Sequence, residues 1–399
     1  MSSDPTIHLA VALEGAGWHP AAWREESARP DELLRANYWV DLVKEAEAGL
    51  ADFVTIEDSL GLQSSSYEGP EQRTDQVRGR LDAVLVAARV APVTSHIGLV
   101  PTATIPNTEP FHISKAIATL DYVSQGRAGW RLQMSRPWED ALFGRRQSAP
   151  LRLADMQRPE FQARMAERFD EAADVVEVVR RLWDSWEDDA EIRDVATGRF
   201  IDRNKLHYID FEGKWFSVRG PSIVPRPPQG QPLVSVLGHG TVPYRLGARS
   251  ADVVYVTPID AASARSIAEE VRGEQHDAGR SNDTIHVFGD VVVFLGASKE
   301  IARARKERLD ALSGGDYASD AYIFVGTSSE LADLLLEWRE AGLSGFRLRP
   351  GAIPDDLNEI TRSLVPELQR RGAFRRAYEA NTLRGLLGLS RPANRYAVA

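Results

Sequence analysis

A closed (β/α)₈ barrel, the TIM-barrel architecture of the α/β class, is the fold this sequence predicts, and three observations carry the prediction. Short apolar runs alternate with amphipathic helical patterns almost from end to end, in the order β then α. Eight such runs stand near residues 7–13, 52–57, 96–101, 127–134, 232–237, 252–256, 285–294 and 344–349, the number that closes a parallel barrel. With 399 residues, 43% of them hydrophobic, the chain is long enough for a well-buried core, and the repeating unit favours one domain over 1–399.

Each run is followed by a helical segment. The junction from Pro110 to Ser135 reads most clearly: Ile113, Ile117, Leu120 and Val123 recur at helical spacing, Gly126 ends the helix, and Ala128 to Met134 reads as a short buried strand. Two interruptions fall after strands, where barrel enzymes carry added loops. The first, Arg136 to Pro159, is rich in Arg, Pro and Ser. In the second, Glu187 to Gly230, LHYIDFEGKWFSV predicts a hairpin around Glu212 and Gly213, and PSIVPRPPQGQP an extended return to the barrel. The last ten residues read as an irregular tail.

Composition excludes several function classes. The formal charge is −10 with acids and bases interleaved and no polybasic run, so no footprint for nucleic acid or an anionic membrane is present. Absence of cysteine removes disulfides, thiolate nucleophiles, iron–sulfur clusters and Cys-type zinc sites. The start, MSSDPTIHLAVALEGAG, lacks a basic n-region and its apolar run is too short for a signal peptide. No stretch approaches the roughly 20 apolar residues of a membrane span. A soluble cytoplasmic protein is the expectation.

In such a barrel the carboxyl ends of the strands face the active site, so position selects the candidates. They are Glu14 to His19, Glu57 to Ser59, Thr102 and Thr104, Gln133 to Ser135, Gly238 to Gly240, and Arg347 with Arg349. Glu57 and Asp58 are adjacent and must point to opposite faces; one can cap the next segment, and Asp58, one step nearer the mouth, is the favoured functional acid. Thr102 and Thr104 share a face, and their hydroxyls can bond a heteroaromatic ligand. Gly238 and Gly240 flank His239 at a strand-to-helix turn suited to a phosphate. His19 is the candidate proton donor or substrate contact, with Trp18, Trp23 and Trp39 as an apolar enclosure. The two Gly-x-Gly sequences meet Pro20 and Pro243 where a dinucleotide fingerprint needs its third glycine. A P-loop, a nucleophile elbow and HExxH are all missing, and no metal site is expected.

Longer motifs point to a family. AGWHPAAWR (16–24), YWVDLVKEAEAGLADFVTIEDSLG (38–61), PFHISKAIATLDYVSQGRAGW (110–130), LWDSWEDDA (182–190) and HYIDFEGKWFSVRGPSIVPRPPQGQP (207–232) resemble the bacterial-luciferase-like flavin-dependent monooxygenases. Within that family they resemble the branch of the nitrilotriacetate, dibenzothiophene-sulfone and pristinamycin-synthesis enzymes. The resemblance implies a luciferase-like barrel holding FMN, received already reduced from a separate flavin reductase. Reduced flavin and O2 then form a flavin hydroperoxide that oxidises a small organic substrate. It implies Asp58, Thr104, Ser135, Gly238 and His239 as cofactor contacts and a homo-oligomer, dimer or tetramer; Trp18 and Trp39, from their place near His19, are the expected substrate-side residues. Departures fall in the flavin site: Arg131 stands where relatives read Asn, Met165 and Phe169 where they place His and Tyr, and His239 where Ser is usual. Arg131 is accordingly a further expected cofactor contact. Three readings remain: FMN through altered contacts, a deazaflavin oxidoreductase on the same barrel, or a non-catalytic flavin-binding or scaffold protein.

Overall fold

The computed structural model describes residues 6–64, 69, 71–142, 153–155 and 157–397. Its elements in chain order are β1 (His8–Leu13), α1 (Ala36–Ala48), β2 (Phe53–Ile56), α2 (Ala83–Val90), β3 (Gly98–Ile105), α3 (Pro110–Val123), β4 (Gly129–Met134), α4 (Pro137–Asp140) and α5 (Pro159–Asp184). Two small antiparallel hairpins follow, β5 (Glu191–Asp194) with β6 (Arg199–Ile201) and β7 (Phe211–Glu212) with β8 (Ser217–Val218). The chain then runs through β9 (Leu233–Leu237), α6 (Thr241–Ser250), β10 (Val253–Val256), α7 (Ala261–Asp277), β11 (His286–Leu295), α8 (Lys299–Ser313), β12 (Tyr322–Gly326), α9 (Ser328–Glu340) and β13 (Gly345–Pro350), ending in α10 (Asp355–Glu359), α11 (Val365–Arg370) and α12 (Leu383–Leu386).

Strands β1, β2, β3, β4, β9, β10, β11 and β13 pair in parallel around a ring that β13 closes onto β1. All eight coincide with the apolar runs of the sequence. α3 begins at Pro110, whose fixed φ suits a first helical position, and buries Ile113, Ile117 and Leu120; Val123, at the end of that face, is exposed. Gly126, with φ of +88°, takes the left-handed conformation that turns the chain into β4.

The structure adds a strand that the eightfold count omits. β11 is ten residues long; its first half pairs with β10 and its second half with β12, so β12 is a ninth strand wedged beside the carboxyl end of the ring. In the second insertion, the hairpin expected around Glu212 and Gly213 forms, with Gly213 N donating to Phe216 O. The β5–β6 hairpin was not anticipated, because Glu191–Asp194 has two exposed central residues and no apolar alternation. Residues 143–152 of the first insertion lie outside the described residues. Residues 390–397 have no regular secondary structure, but they are fastened: Arg391 pairs with Asp188, Asn394 donates to Asp184 O and Trp186 O, and Tyr396 stacks on His207.

Alternation along the strands builds the interior in layers. Ala10, Phe53, Val100, Leu233, Val253, Tyr255 and Phe288 form an apolar layer toward the amino end, closed from below by Leu383, Leu387 and Leu389. Gly98 is required there, since a Cβ would lie 2.6 Å from Leu383. Burying each such leucine contributes roughly 1.5–3 kcal/mol, so the C-terminal segment is a structural plug. The opposite end is left for the site.

Candidate active site at the carboxyl end of the barrel

Above the apolar layer the inward positions turn charged. β2 brings in Thr55 and Glu57, β4 Arg131 and Gln133, β11 Asp290, and β13 Arg347 and Arg349, all obeying the period of two. Glu57 pairs with Arg131 (3.0 Å) and Arg347 (3.2 Å); Asp290 pairs with both Arg347 and Arg349; Arg349 reaches Asp320 (2.6 Å) at the rim. Three carboxylates therefore balance three guanidiniums, all of them buried except Asp320 at the rim. Burial pushes the Glu57 and Asp290 carboxyls up, but the guanidiniums around them outweigh it and hold both below the ordinary range. The Arg347 guanidinium also lies over the Tyr255 ring at 4.4 Å.

The preference for Asp58 over Glu57 is corrected by this geometry. Glu57 faces the interior, whereas the Asp58 carboxylate accepts from Ser59 N (2.7 Å) and from Ala83 N (3.0 Å) at the start of α2. Burial raises its pKa. The capping alternative holds for Asp58, because the residue after an inward one must face out.

His19 is also corrected. It is 1% exposed, its Nε2 lies 3.0 Å from Asp310 Oδ1, and its Nδ1 accepts from Ala21 N, so both ring nitrogens are committed. Burial lowers its pKa. This ring ties the loop after β1 to α8 and has no nitrogen left for a proton transfer. Trp39 is turned into the helix-to-sheet core, with Nε1 donating to Leu33 O (3.0 Å), and does not belong to an enclosure of the mouth. Trp18 does lie at the rim, its ring 4.5 Å from the Arg349 guanidinium, with Nε1 buried and unpartnered.

Arg131 lies beneath the mouth, 4% exposed, with Nη1 on Thr102 Oγ1 (3.1 Å), Gln133 Oε1 (2.7 Å) and Glu57. Burial lowers its pKa against the pull of Glu57, and its role is to bridge three strands. Thr104, 4% exposed, has no hydrogen-bond partner among the described residues, so its hydroxyl is open to a ligand. Ser135 donates to the buried Asp140 (2.6 Å) and accepts from Asn107 and Arg168; Arg168 also grips Ser135 O and Asp140, fastening α5 to the end of β4. Met165 and Phe169 flank Arg168 on α5, both half-buried, and Phe169 packs on the core.

Across the ring, β9 leads into Gly238, His239 and Gly240. His239 is half-exposed, with Nδ1 3.1 Å from Thr257 Oγ1 and Nε2 3.4 Å from Asp320; burial lowers its pKa and Asp320 opposes that shift. Among the described residues no side chain caps α6, and a Cβ at Gly240 would meet nothing within 4 Å. The first amides of α6 therefore open onto free space at the carboxyl end of the barrel, which suits an anion. Among the described residues no cluster of three or more His, Asp or Glu could hold a metal, and no helix is long and apolar enough to cross a membrane.

Asp290, Asp320, Asn107, Asp140 and Arg168 were not singled out from sequence, and Glu57 was named there but ranked below Asp58. The signal available was a charged residue at alternate positions of otherwise apolar strands, as in Asp290 within HVFGDVVVFL.

The chain is similar to known proteins along nearly its whole length. A family model described as luciferase-like monooxygenase matches residues 16–322. N-acetyl-S-(2-succino)cysteine monooxygenase of Bacillus subtilis (strain 168) is 31% identical, covering 99% of each chain. Nitrilotriacetate monooxygenase component A of Aminobacter aminovorans is 30% identical, again over 99% of each. In fold, the crystal structure of long-chain alkane monooxygenase is similar with a TM-score of 0.83, at 24% identity and 96% coverage of both chains.

Proposed function

The chain belongs to the luciferase-like monooxygenase family and is a flavin-dependent monooxygenase, and we propose that its flavin is FMN, delivered already reduced by a separate reductase. The residues present fit that group. The Thr104 hydroxyl, unpartnered among the described residues, lies on the inward face near the mouth, and the uncapped start of α6 beside Gly240 would offer amides to the phosphate. That pairing of a polar ring contact with an open anion site is the observation that carries the reading. His239, held by Thr257 and Asp320, stands beside those amides.

Reduced flavin, when bound, supplies the two electrons that let one atom of O2 enter the substrate while the other leaves as water. The chain's own residues do the rest. The ionic layer from Glu57 to Asp320 makes a rigid floor, so ligands above it meet a fixed field instead of mobile water. Trp18 covers Arg349 and shields that edge of the floor. Arg168 holds α5 against the end of β4. The word component in the name of the nitrilotriacetate relative supports a partner enzyme that supplies the reduced flavin. A small organic substrate, O2 and that reductase are the expected partners, and a homo-oligomer is the expected assembly.

Titrating the purified chain with FMN and with a deazaflavin tests the cofactor; saturable binding of FMN alone is the expected result. Oxygen uptake in the presence of a flavin reductase, NADH, FMN and a panel of amine, thioether and ketone substrates then tests the reaction. Uptake must exceed that of the reductase and flavin without the chain and be matched by oxygenated product. Absence of FMN binding would refute the proposal.

A further inference from the structure

We propose that Gln133 recognises the acceptor-bearing edge of the flavin ring jointly with Thr104, and that Arg131 is a positioning residue that sets the orientation of the Gln133 amide. This rests on the flavin reading above. The β3–β4 register places Thr102 opposite Arg131 and Thr104 opposite Gln133, so the four share the inward face as two rungs. The lower rung is closed on itself, with Arg131 Nη1 on Thr102 and Glu57. The upper rung is half open. Gln133 Oε1 accepts from Arg131 Nη1 (2.7 Å), and Gln133 Nε2 donates to Asp58 O (3.0 Å).

Those two bonds give the amide one orientation, because reversing it would set an NH2 against a guanidinium and an oxygen against a carbonyl. A carboxamide nitrogen carries two hydrogens, and only one is used. The second N–H of Gln133 and the free hydroxyl of Thr104 thus stand side by side on a half-buried shelf at the mouth, one a donor and the other either donor or acceptor. Ring nitrogens and carbonyl oxygens of an isoalloxazine match that pair; an aliphatic ligand would leave it unsatisfied. Arg131 itself is enclosed, so its effect passes through Gln133.

The experiment is fluorescence titration of oxidised FMN and riboflavin against the wild-type chain, Gln133→Leu, Gln133→Glu, Arg131→Lys and the Arg131→Lys/Gln133→Leu double variant, each checked for an unchanged circular dichroism spectrum. Losing one hydrogen bond to the ring should weaken both flavins about tenfold in Gln133→Leu. Gln133→Glu should weaken them at least as much, since a carboxylate cannot donate. Arg131→Lys alone should weaken binding about threefold and add nothing in the Gln133→Leu background, the non-additivity expected of residues acting in series. A merely structural role for Arg131 would give additive effects, and that result overturns its assignment. Wild-type affinity in Gln133→Leu, or a loss confined to FMN, overturns the ring contact. If the wild-type chain binds neither flavin, the flavin reading falls and this inference falls with it.

Discussion

Replacing Asp290 by Asn probes the charged layer most directly. Asp290 is fully buried between two fully buried guanidiniums, accepting from Arg347 Nε (2.8 Å) and Nη2 and from Arg349 Nη2. Asn keeps the shape and one acceptor but removes the charge, so the layer changes from three carboxylates against three guanidiniums to two against three. Stripping one partner from a buried pair costs about 3–5 kcal/mol, because the surviving ion has neither water nor counter-ion. The upper part of that range is expected here, since Asp290 serves two cations. Urea unfolding followed by tryptophan fluorescence measures it as a shift of midpoint at constant slope. The Asp290→Asn/Arg347→Met double variant restores the balance and should be less destabilised than Asp290→Asn alone. A loss below about 1 kcal/mol for the single variant, or strict additivity of the two changes, would refute the view that charge balance inside the barrel governs its stability.

Three further outcomes follow from other parts of the fold. Burial, with the charge of His8 beside it, lowers His286 to about 4. The folded state thus disfavours its protonation, and stability intact above about pH 6.5 should fall by about 2 kcal/mol between pH 7 and pH 5 through this group; urea midpoints at both pH values, with His286→Gln flattening the difference, check it. Asp58→Asn should cost about 1 kcal/mol through weakened capping of Ser59 N and Ala83 N, read as a thermal midpoint; a change in flavin affinity with no change in stability would contradict the geometry. Gly240→Ala should fold normally, since its backbone is extended and its Cβ meets no atom. It should weaken FMN but not riboflavin in a fluorescence titration, and equal effects on the two would move the phosphate elsewhere.

Much of the architecture was legible because it is written locally. The eight barrel strands, the Gly126 turn and the hairpin near Gly213 each follow from periodicity, or from a residue that only one backbone conformation accommodates. The wedge strand β12 was not legible: Tyr322–Gly326 has the composition of any strand, and only the length of β11 creates the half-edge that it occupies. Within the site, Thr104 was placed by its alternation, and it does face the mouth. The ranking of Asp58 above Glu57 went the other way, because proximity to the rim is visible in one dimension and side-chain direction is not.

Residue types, their spacing along each strand and the family they resemble were determined by the amino-acid order alone. Partnership was not. Glu57, Arg131, Asp290 and Arg347 come from four strands separated by up to 290 positions, and each is a costly buried charge unless the closed ring brings the others to it. His19 likewise changes from a free loop histidine to an enclosed tie only when Asp310 arrives from α8. Desolvation and pairing are properties of the assembled interior, and that is why tertiary structure decided which polar residues hold the barrel together and which remain open to a ligand.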